Sequence, residues 1–289
     1  MPEICVVHLV RAKNGMEPFK SFLDSYKRNP AGIDHELLIV FKGFHSKRRM
    51  LDYQRLLEPF PHNYMIVSDF GYDIRAYLLA AKAFDYKYYL FLNSFSTILH
   101  KDWLLKMYRL ISRDEVGLVG ATGSYESPYS NVVEKIGPKA EVSLLGFKIK
   151  VPVLIRLAHG MTVRKIEQFI YGLRFDPFPN CHVRTNAFMV SSDMLRAIKA
   201  PAIITKMDAH RFESGKSGLT KQVLKTGKKA LVVGKDGVGY DSDAWFTSRT
   251  FKSGSQENLL ISDNQTRYFE RSDSRLKAVL TLRAWGLVD

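Results

Sequence analysis

The stretch YKYYLFLNSFSTILHKDWL, Tyr86 to Leu104, decides how this chain is read. Five apolar residues, Tyr88–Leu92, suit a strand buried on both faces. Asn93-Ser94-Phe95-Ser96 makes a short polar tip, and Trp103 opens a segment with helical spacing to Ile111. A buried strand that ends in a polar tip and turns into a helix is the repeating unit of a parallel α/β sheet.

The same unit recurs on both sides. Ile4–Val10, Glu36–Phe41, Asn63–Ser68 and Val116–Ala121 read as further strands. Helical spacing covers Met16–Tyr26, Lys47–Leu57 and Ile74–Phe84 between them. Strand and helix thus alternate five times with short connections, which predicts an open, mostly parallel sheet with helices on both faces. Ligands of such sheets lie beyond the carboxyl ends of the strands. The tips that matter are Arg11, Lys42-Gly43, Asp69 to Asp73, Asn93 to Ser96, and Gly120 to Ser124. Beyond Ser124 the pattern loosens, and Val151–Leu173 reads as one or two amphipathic helices. HVRTNAFMVSS, 182–192, restores a strand. DAHRFESGKSG, 208–218, reads as a polar loop entering a helix near Gly218, and ALVVG, 230–234, is another strand. The expected organisation is an α/β half over 1–124, an insertion over 125–180, a sheet-completing half over 181–270 and an amphipathic tail over 271–289.

Composition narrows the partners. With 43 Lys and Arg against 29 Asp and Glu, the net charge is +14, which favours anionic ligands or surfaces. No run of apolar residues is long enough to span a bilayer, and MPEICVVHLV lacks the basic start of a signal peptide. The two cysteines, Cys5 and Cys181, lack metal-like spacing, so reduced thiols and a cytoplasmic location are expected. Basic residues on the apolar middle and tail segments suit peripheral contact with the inner face of a membrane. No HExxH pattern signals zinc, and no GxxxxGK[ST] loop signals an ATPase.

The order of these segments resembles the GT-A-fold glycosyltransferases, broadly those of the family 2 kind. AYLLAAKAFDYKYYLFLNSFSTILHKDWL, 76–104, has the family's sequence of helix, strand, polar tip and helix. FGYDIRAYL, 70–78, resembles a helix start of bacterial rhamnan-synthesis transferases, and HVRTNAFMVSSDML, 182–195, resembles the strand after the acceptor loop. The resemblance implies a nucleotide-sugar donor and a glycan or lipid-linked acceptor hydroxyl, in surface polysaccharide or lipopolysaccharide synthesis. Inversion by direct displacement is the implied default. A DNA acceptor with modified bases, as for some phage enzymes, is the alternative that the basic charge invites. A degenerate domain that binds glycan or a partner is another.

The family holds a divalent cation, Mn or Mg, with two aspartates at the tip after the strand. Asn93 and Phe95 occupy those positions here. Asn is a weak ligand and Phe none. Either a metal takes other ligands (Asp69, Asp73 or Asp263), or fixed cations meet the diphosphate, with Arg11, Lys42, Arg184, Lys216 and Lys235 as candidates. Donor contacts are expected from Arg11, Lys42, Asp69, Gly71, Asp73, Asn93, Ser94 and Ser96. Acceptor or phosphate contacts are expected from Glu126, His182, Arg184, Asn186 and Lys216. Glu213 is the expected base, with Asp208 as its competitor and His210 behind both.

Overall fold

The computed structural model describes residues 2–134 and 165–287. Its strands are β1 (Ile4–Arg11), β2 (Glu36–Lys42), β3 (Asn63–Val67), β4 (Tyr88–Leu92), β5 (Thr97–Ile98), β6 (Val116–Gly120), β7 (Gly123–Ser124), β8 (His182–Val183), β9 (Ala187–Ser191), β10 (Lys229–Val233), β11 (Gly239–Tyr240) and β12 (Ile261–Ser262). The helices are α1 (Glu17–Arg28), α2 (Lys47–Leu57), α3 (Asp73–Ala83), α4 (Trp103–Ile111), α5 (Pro128–Glu134), α6 (165–174), α7 (Ser192–Ala197), α8 (Lys206–Ser214), α9 (Leu219–Lys225), α10 (Asn264–Arg271) and α11 (Ser274–Trp285).

Eight strands form the main sheet in the order β11-β10-β6-β9-β4-β1-β2-β3. Side chains alternate across β1, and the alternation splits the core into two layers. Ile4, Val6 and Val10 join Phe19 and Phe22 of α1, Tyr53 of α2 and Trp103 of α4. Cys5, Val7 and Leu9 join Tyr77 of α3, Phe212 of α8, Leu219 of α9 and Trp285 of α11. A strand covered on both faces must be apolar throughout, which is why ICVVHLV carries no alternation.

The sheet is mostly parallel, as expected, with β9 antiparallel between β4 and β6 and β11 antiparallel to β10. Two expectations need correction. The segment 182–192 is not one strand. β8 pairs with β7 in a separate ribbon, Arg184 to Asn186 turn, and β9 then enters the main sheet. The turn is fixed where the Arg184 N–H donates to the Thr122 carbonyl at 3.0 Å. Finally, 206–214 is a helix and not a loop. Of the amphipathic reading over Val151–Leu173, the part from 151 to 164 lies outside the described residues, and 165–174 is helical. No helix among the described residues is long and apolar enough to cross a membrane.

Candidate active site

A cleft of about 200 Å³ opens at the carboxyl edge of β4, lined by Asp73, Asn93, Arg184, Asn186, Glu213 and Asp263 among others. Strand register gathers these residues from distant parts of the chain. Leu92 faces Ala187 across the β4–β9 pair, so Asn93 and Asn186 meet just beyond it, and the Asn93 N–H donates to the Asn186 carbonyl at 2.9 Å. The tip continues into β5, where Thr97 faces Ser262 of β12. That pairing delivers Asp263 to the cleft.

Asn93 has two tasks. Its side-chain oxygen accepts from the Phe95 N–H at 3.0 Å and the Ser96 hydroxyl at 3.1 Å, closing the tip. Its amide nitrogen makes no hydrogen bond among the described residues and is left for the cleft. Asn186 is similar: its oxygen accepts from the Thr122 hydroxyl at 2.9 Å, while its buried Nδ2 lacks a partner among the described residues. An unpaired buried donor is costly, of order 1–3 kcal/mol, and native proteins keep few of them. Two amide donors therefore point to an acceptor-rich ligand.

Glu213 sits in the last turn of α8, with only one of its oxygens hydrogen-bonded among the described residues. Oε2 accepts from the Thr185 N–H at 2.7 Å and from its hydroxyl at 2.5 Å. Burial by itself would raise this carboxyl. The positive fields of His182 and Arg184, together with the Thr185 bonds, outweigh it and hold Glu213 below the usual carboxylate range. Beneath it, the buried Tyr77 hydroxyl lacks a partner among the described residues and feels the charges of both Asp73 and Glu213. Asp73 is the first residue of α3, whose N-cap Tyr72 makes no side-chain capping bond, and it lines the cleft. Burial raises its pKa, and the nearby Lys42 and Arg11 charges only partly oppose this.

Arg184 is a fixed cation. It donates to Asp263 Oδ2 at 2.9 Å and to the Thr122 hydroxyl at 3.2 Å, and lies 4.1 Å over the Phe251 ring. Asp263 also caps α10, accepting from the Thr266 N–H at 2.8 Å. Lys206, exposed at the first position of α8, lines the cleft as a second cation that the loop reading of this segment missed. Thr205-Lys206-Met207-Asp208 carries the T-x-x-D spacing of a capping box, the signal that would have found it.

Other expected site residues are occupied elsewhere. Asp208 is the capping-box acid of α8, its Oδ2 accepting from the Thr205 N–H at 2.8 Å, the Thr205 hydroxyl at 2.8 Å and the Ile204 N–H at 3.3 Å, and it lies outside the cleft lining. Lys42 is buried, and its ammonium donates to the carbonyls of Phe70, Gly71 and Tyr72, leaving no donor for a phosphate. It holds the loop in which Gly71 takes φ +70°, where a Cβ would lie 2.7 Å from the Ile203 carbonyl. Gly71 is thus fixed by close packing, and it lies outside the cleft lining. Arg11 and Asp69 form a two-pronged ion pair at 2.7 and 3.0 Å, outside the cleft lining. Ser94 is buried away from it, and Ser96 is spent on Asn93. Glu126 accepts from Asn131 at 2.7 Å, and buried His182 is bonded through Nδ1 to the Asn180 carbonyl at 2.7 Å. Lys216 donates to the Gly172 carbonyl at 2.7 Å in a second cleft. Lys235 is likewise absent from the lining.

The donor set does not fit a divalent cation held by the protein. Asp69 is paired with Arg11, Asp263 with Arg184 and its helix, and one oxygen of Glu213 with Thr185. That leaves Asp73 as the one open carboxylate among the three aspartates considered for a metal. No group of three or more His, Cys, Asp or Glu among the described residues is placed to share an ion. At the tip, Arg267 donates to the Phe95 carbonyl at 3.0 Å and to the Thr97 hydroxyl at 3.1 Å, so a guanidinium braces the turn after Asn93.

No protein-family model matches this chain, and no curated protein does. Among solved structures it is similar to a mannosyltransferase from Pyrobaculum calidifontis, in complex with GDP-Man and Mn2+. Identity is 14% and the TM-score 0.47, over 86% of this chain and 60% of that one. It is similar to TarS 1-349 of S. aureus at 12% identity and TM-score 0.42, over 77% and 55%. It is also similar to glucosyl-3-phosphoglycerate synthase of Mycobacterium tuberculosis, in complex with Mn2+, UDP and glucosyl-3-phosphoglycerate. There the identity is 15% and the TM-score 0.38, over 77% and 63%. The chain thus spans less than two thirds of each of these structures. The mostly parallel sheet with helices on both faces is the α/β architecture that the GT-A resemblance implied. Function is read from the cleft itself.

Proposed function

We propose that this chain is a glycosyltransferase that moves a sugar from a nucleotide-sugar donor to an acceptor hydroxyl, with inversion. The observation that carries the reading is Glu213, a carboxylate anchored by Thr185 through Oε2, in a cleft that Asn93, Asn186 and Arg184 also line. Glu213 Oε1 takes the acceptor's proton. The acceptor oxygen attacks the anomeric carbon as the bond to the donor's diphosphate oxygen breaks. The leaving diphosphate gathers negative charge, which fixed Arg184 and mobile Lys206 stabilise. The two amides orient sugar or ribose hydroxyls. Asp73, at the positive end of α3, offers an acceptor for a further hydroxyl. No step is routed through a metal, because Asp69 and Asp263 are held by Arg11 and Arg184 and Asp73 alone of the three aspartates is open.

The acceptor class we assign is a hydroxyl of a growing surface glycan, on the support of the motif order in the sequence. The test is a calorimetric and thermal-shift screen of nucleotide diphosphates and their sugars, with EDTA and with Mn²⁺, followed by transfer assays. Glu213→Gln is expected to lower turnover roughly 10²–10⁴-fold, the worth of a general base. Donor affinity should stay within about threefold, since Gln keeps the Thr185 contacts. Turnover that persists in the variant removes Glu213 as base. Failure of every nucleotide sugar to bind or be consumed removes the enzyme reading and leaves a binding domain. Transfer onto modified DNA instead of glycan would reassign the acceptor.

A further inference from the structure

A second cleft, of about 320 Å³, lies on the far side of α8 from the first. Its walls carry Arg174, Lys199, Arg211 and Lys216 and no acidic residue. Arg211 has Asp208 at 3.7 Å, and Lys216 donates only to the Gly172 carbonyl. Arg174 and Lys199 have no ion pair among the described residues. Four cations around one concavity repel each other, an arrangement that an anionic ligand relieves.

Leu173, at the lip of this cleft, belongs to an apolar row on α6. Ile166, Phe169, Ile170 and Leu173 follow the i, i+3, i+4, i+7 spacing of one helix face, and they are 54%, 66%, 37% and 62% exposed. Such a face is normally buried against a core. Here the flank of α6 makes the packing contact: a Cβ on Gly172 would lie 3.2 Å from Tyr129 of α5. An exposed apolar row ending at a cluster of cations has the chemistry of an interfacial helix. The phosphates of anionic lipid match the cluster, and the acyl boundary matches the row.

We propose that α6 and the basic cleft dock this protein on an anionic lipid surface, with lipid phosphates in the cleft and Phe169 and Leu173 in the apolar boundary. In α11, Leu280, Ala284 and Trp285 are buried in the protein's own core and Val279 and Leu282 are exposed, so the longer exposed apolar row is that of α6. Docking at the second cleft places the lipid surface next to α8, the helix that also carries Glu213. The inference stands apart from the transfer chemistry, since binding is read without turnover.

The test is co-sedimentation of the full chain with large vesicles of phosphatidylcholine alone or with 30% phosphatidylglycerol. Binding is expected on the anionic vesicles, weakening with salt, and not on the neutral ones. Phe169→Asp with Leu173→Asp is expected to reduce the partition at least ~10-fold. Lys199→Ala should reduce it roughly fivefold. Lys27→Ala should change it less than about twofold, because α1 packs on the opposite face of the sheet from α8. Unchanged melting curves would show that the variants fold. Equal losses from Lys27→Ala and Lys199→Ala would reduce the effect to overall charge and overturn the site. So would binding indifferent to Phe169 and Leu173. A dimer in solution that the double variant dissociates would reassign the face to a second copy of the chain.

Discussion

Thr185 sets the chemistry of the residue that matters most. A carboxylate placed this deep tends to take up a proton, and the two Thr185 bonds with the His182 and Arg184 fields prevent that. A base works only when deprotonated, so its activity is present above its pKa and lost as pH falls through it. With Glu213 depressed, the acid limb of kcat/KM should lie below the usual glutamate range. Thr185→Val removes the hydroxyl donor and keeps the backbone one. The limb should then move to higher pH, with kcat lower by roughly tenfold, equivalent to about 1.4 kcal/mol. A pH–rate profile checks this, and an unmoved limb would assign it to another group. Asn93 was legible as a site residue because a polar tip after a buried strand has few other uses. The pairing of its two ends, one closing the loop and one facing the cleft, was not. Side-chain direction depends on Asn186, ninety-three residues away in sequence.

At the scale of elements, α8 is where sequence reading went astray. Its nine residues have few apolar positions, and only Phe212 and Ser214 are buried, so periodicity gave little signal. The capping box did carry the information. Asp208, read as a rival base, closes that box. Asp208→Ala is expected to cost about 1 kcal/mol of stability, the worth of a cap, and to leave kcat within about threefold. Urea melts and transfer rates on one preparation check both. A loss of turnover as large as that of Glu213→Gln would restore Asp208 to the mechanism. The Lys42 loop shows the same kind of misreading. A lysine at a strand tip looks like a phosphate ligand, yet three backbone carbonyls turn it into an internal cross-link.

At the scale of the whole molecule, the last helix supports the site. Trp285 is buried, donates to the Phe251 carbonyl at 2.8 Å, and packs on Tyr125. Phe251 in turn carries the Arg184 guanidinium on its face. Trp285→Ala should cost about 3–5 kcal/mol, as for a large aromatic removed from a core. Donor binding should weaken as well, because Arg184 loses its backing. Equilibrium unfolding and donor titration measure the two effects, and a variant of wild-type stability would show that α11 is not part of this core. The wide basic excess makes the same distinction necessary everywhere: Arg11 and Lys42 are spent on structure, while Arg184 and Lys206 line the first cleft and Lys216 the second.

The sequence by itself determined the alternation of strands and helices, the edge of the sheet where a ligand belongs, and the altered tip at Asn93 and Phe95. These follow from local patterns: unbroken apolar runs for strands covered on both sides, helical spacing between them, and polar residues at the ends. Tertiary structure alone decided that β9 runs antiparallel, that Asp263 arrives beside the tip through β12, and that Glu213 and not Asp208 is open to the cleft. Each of those depends on which distant backbone supplies a hydrogen bond, and no local pattern encodes the partner. At the Asn93 tip, Arg267 donates to the Phe95 carbonyl across 172 residues of chain, a bond that only the fold could supply.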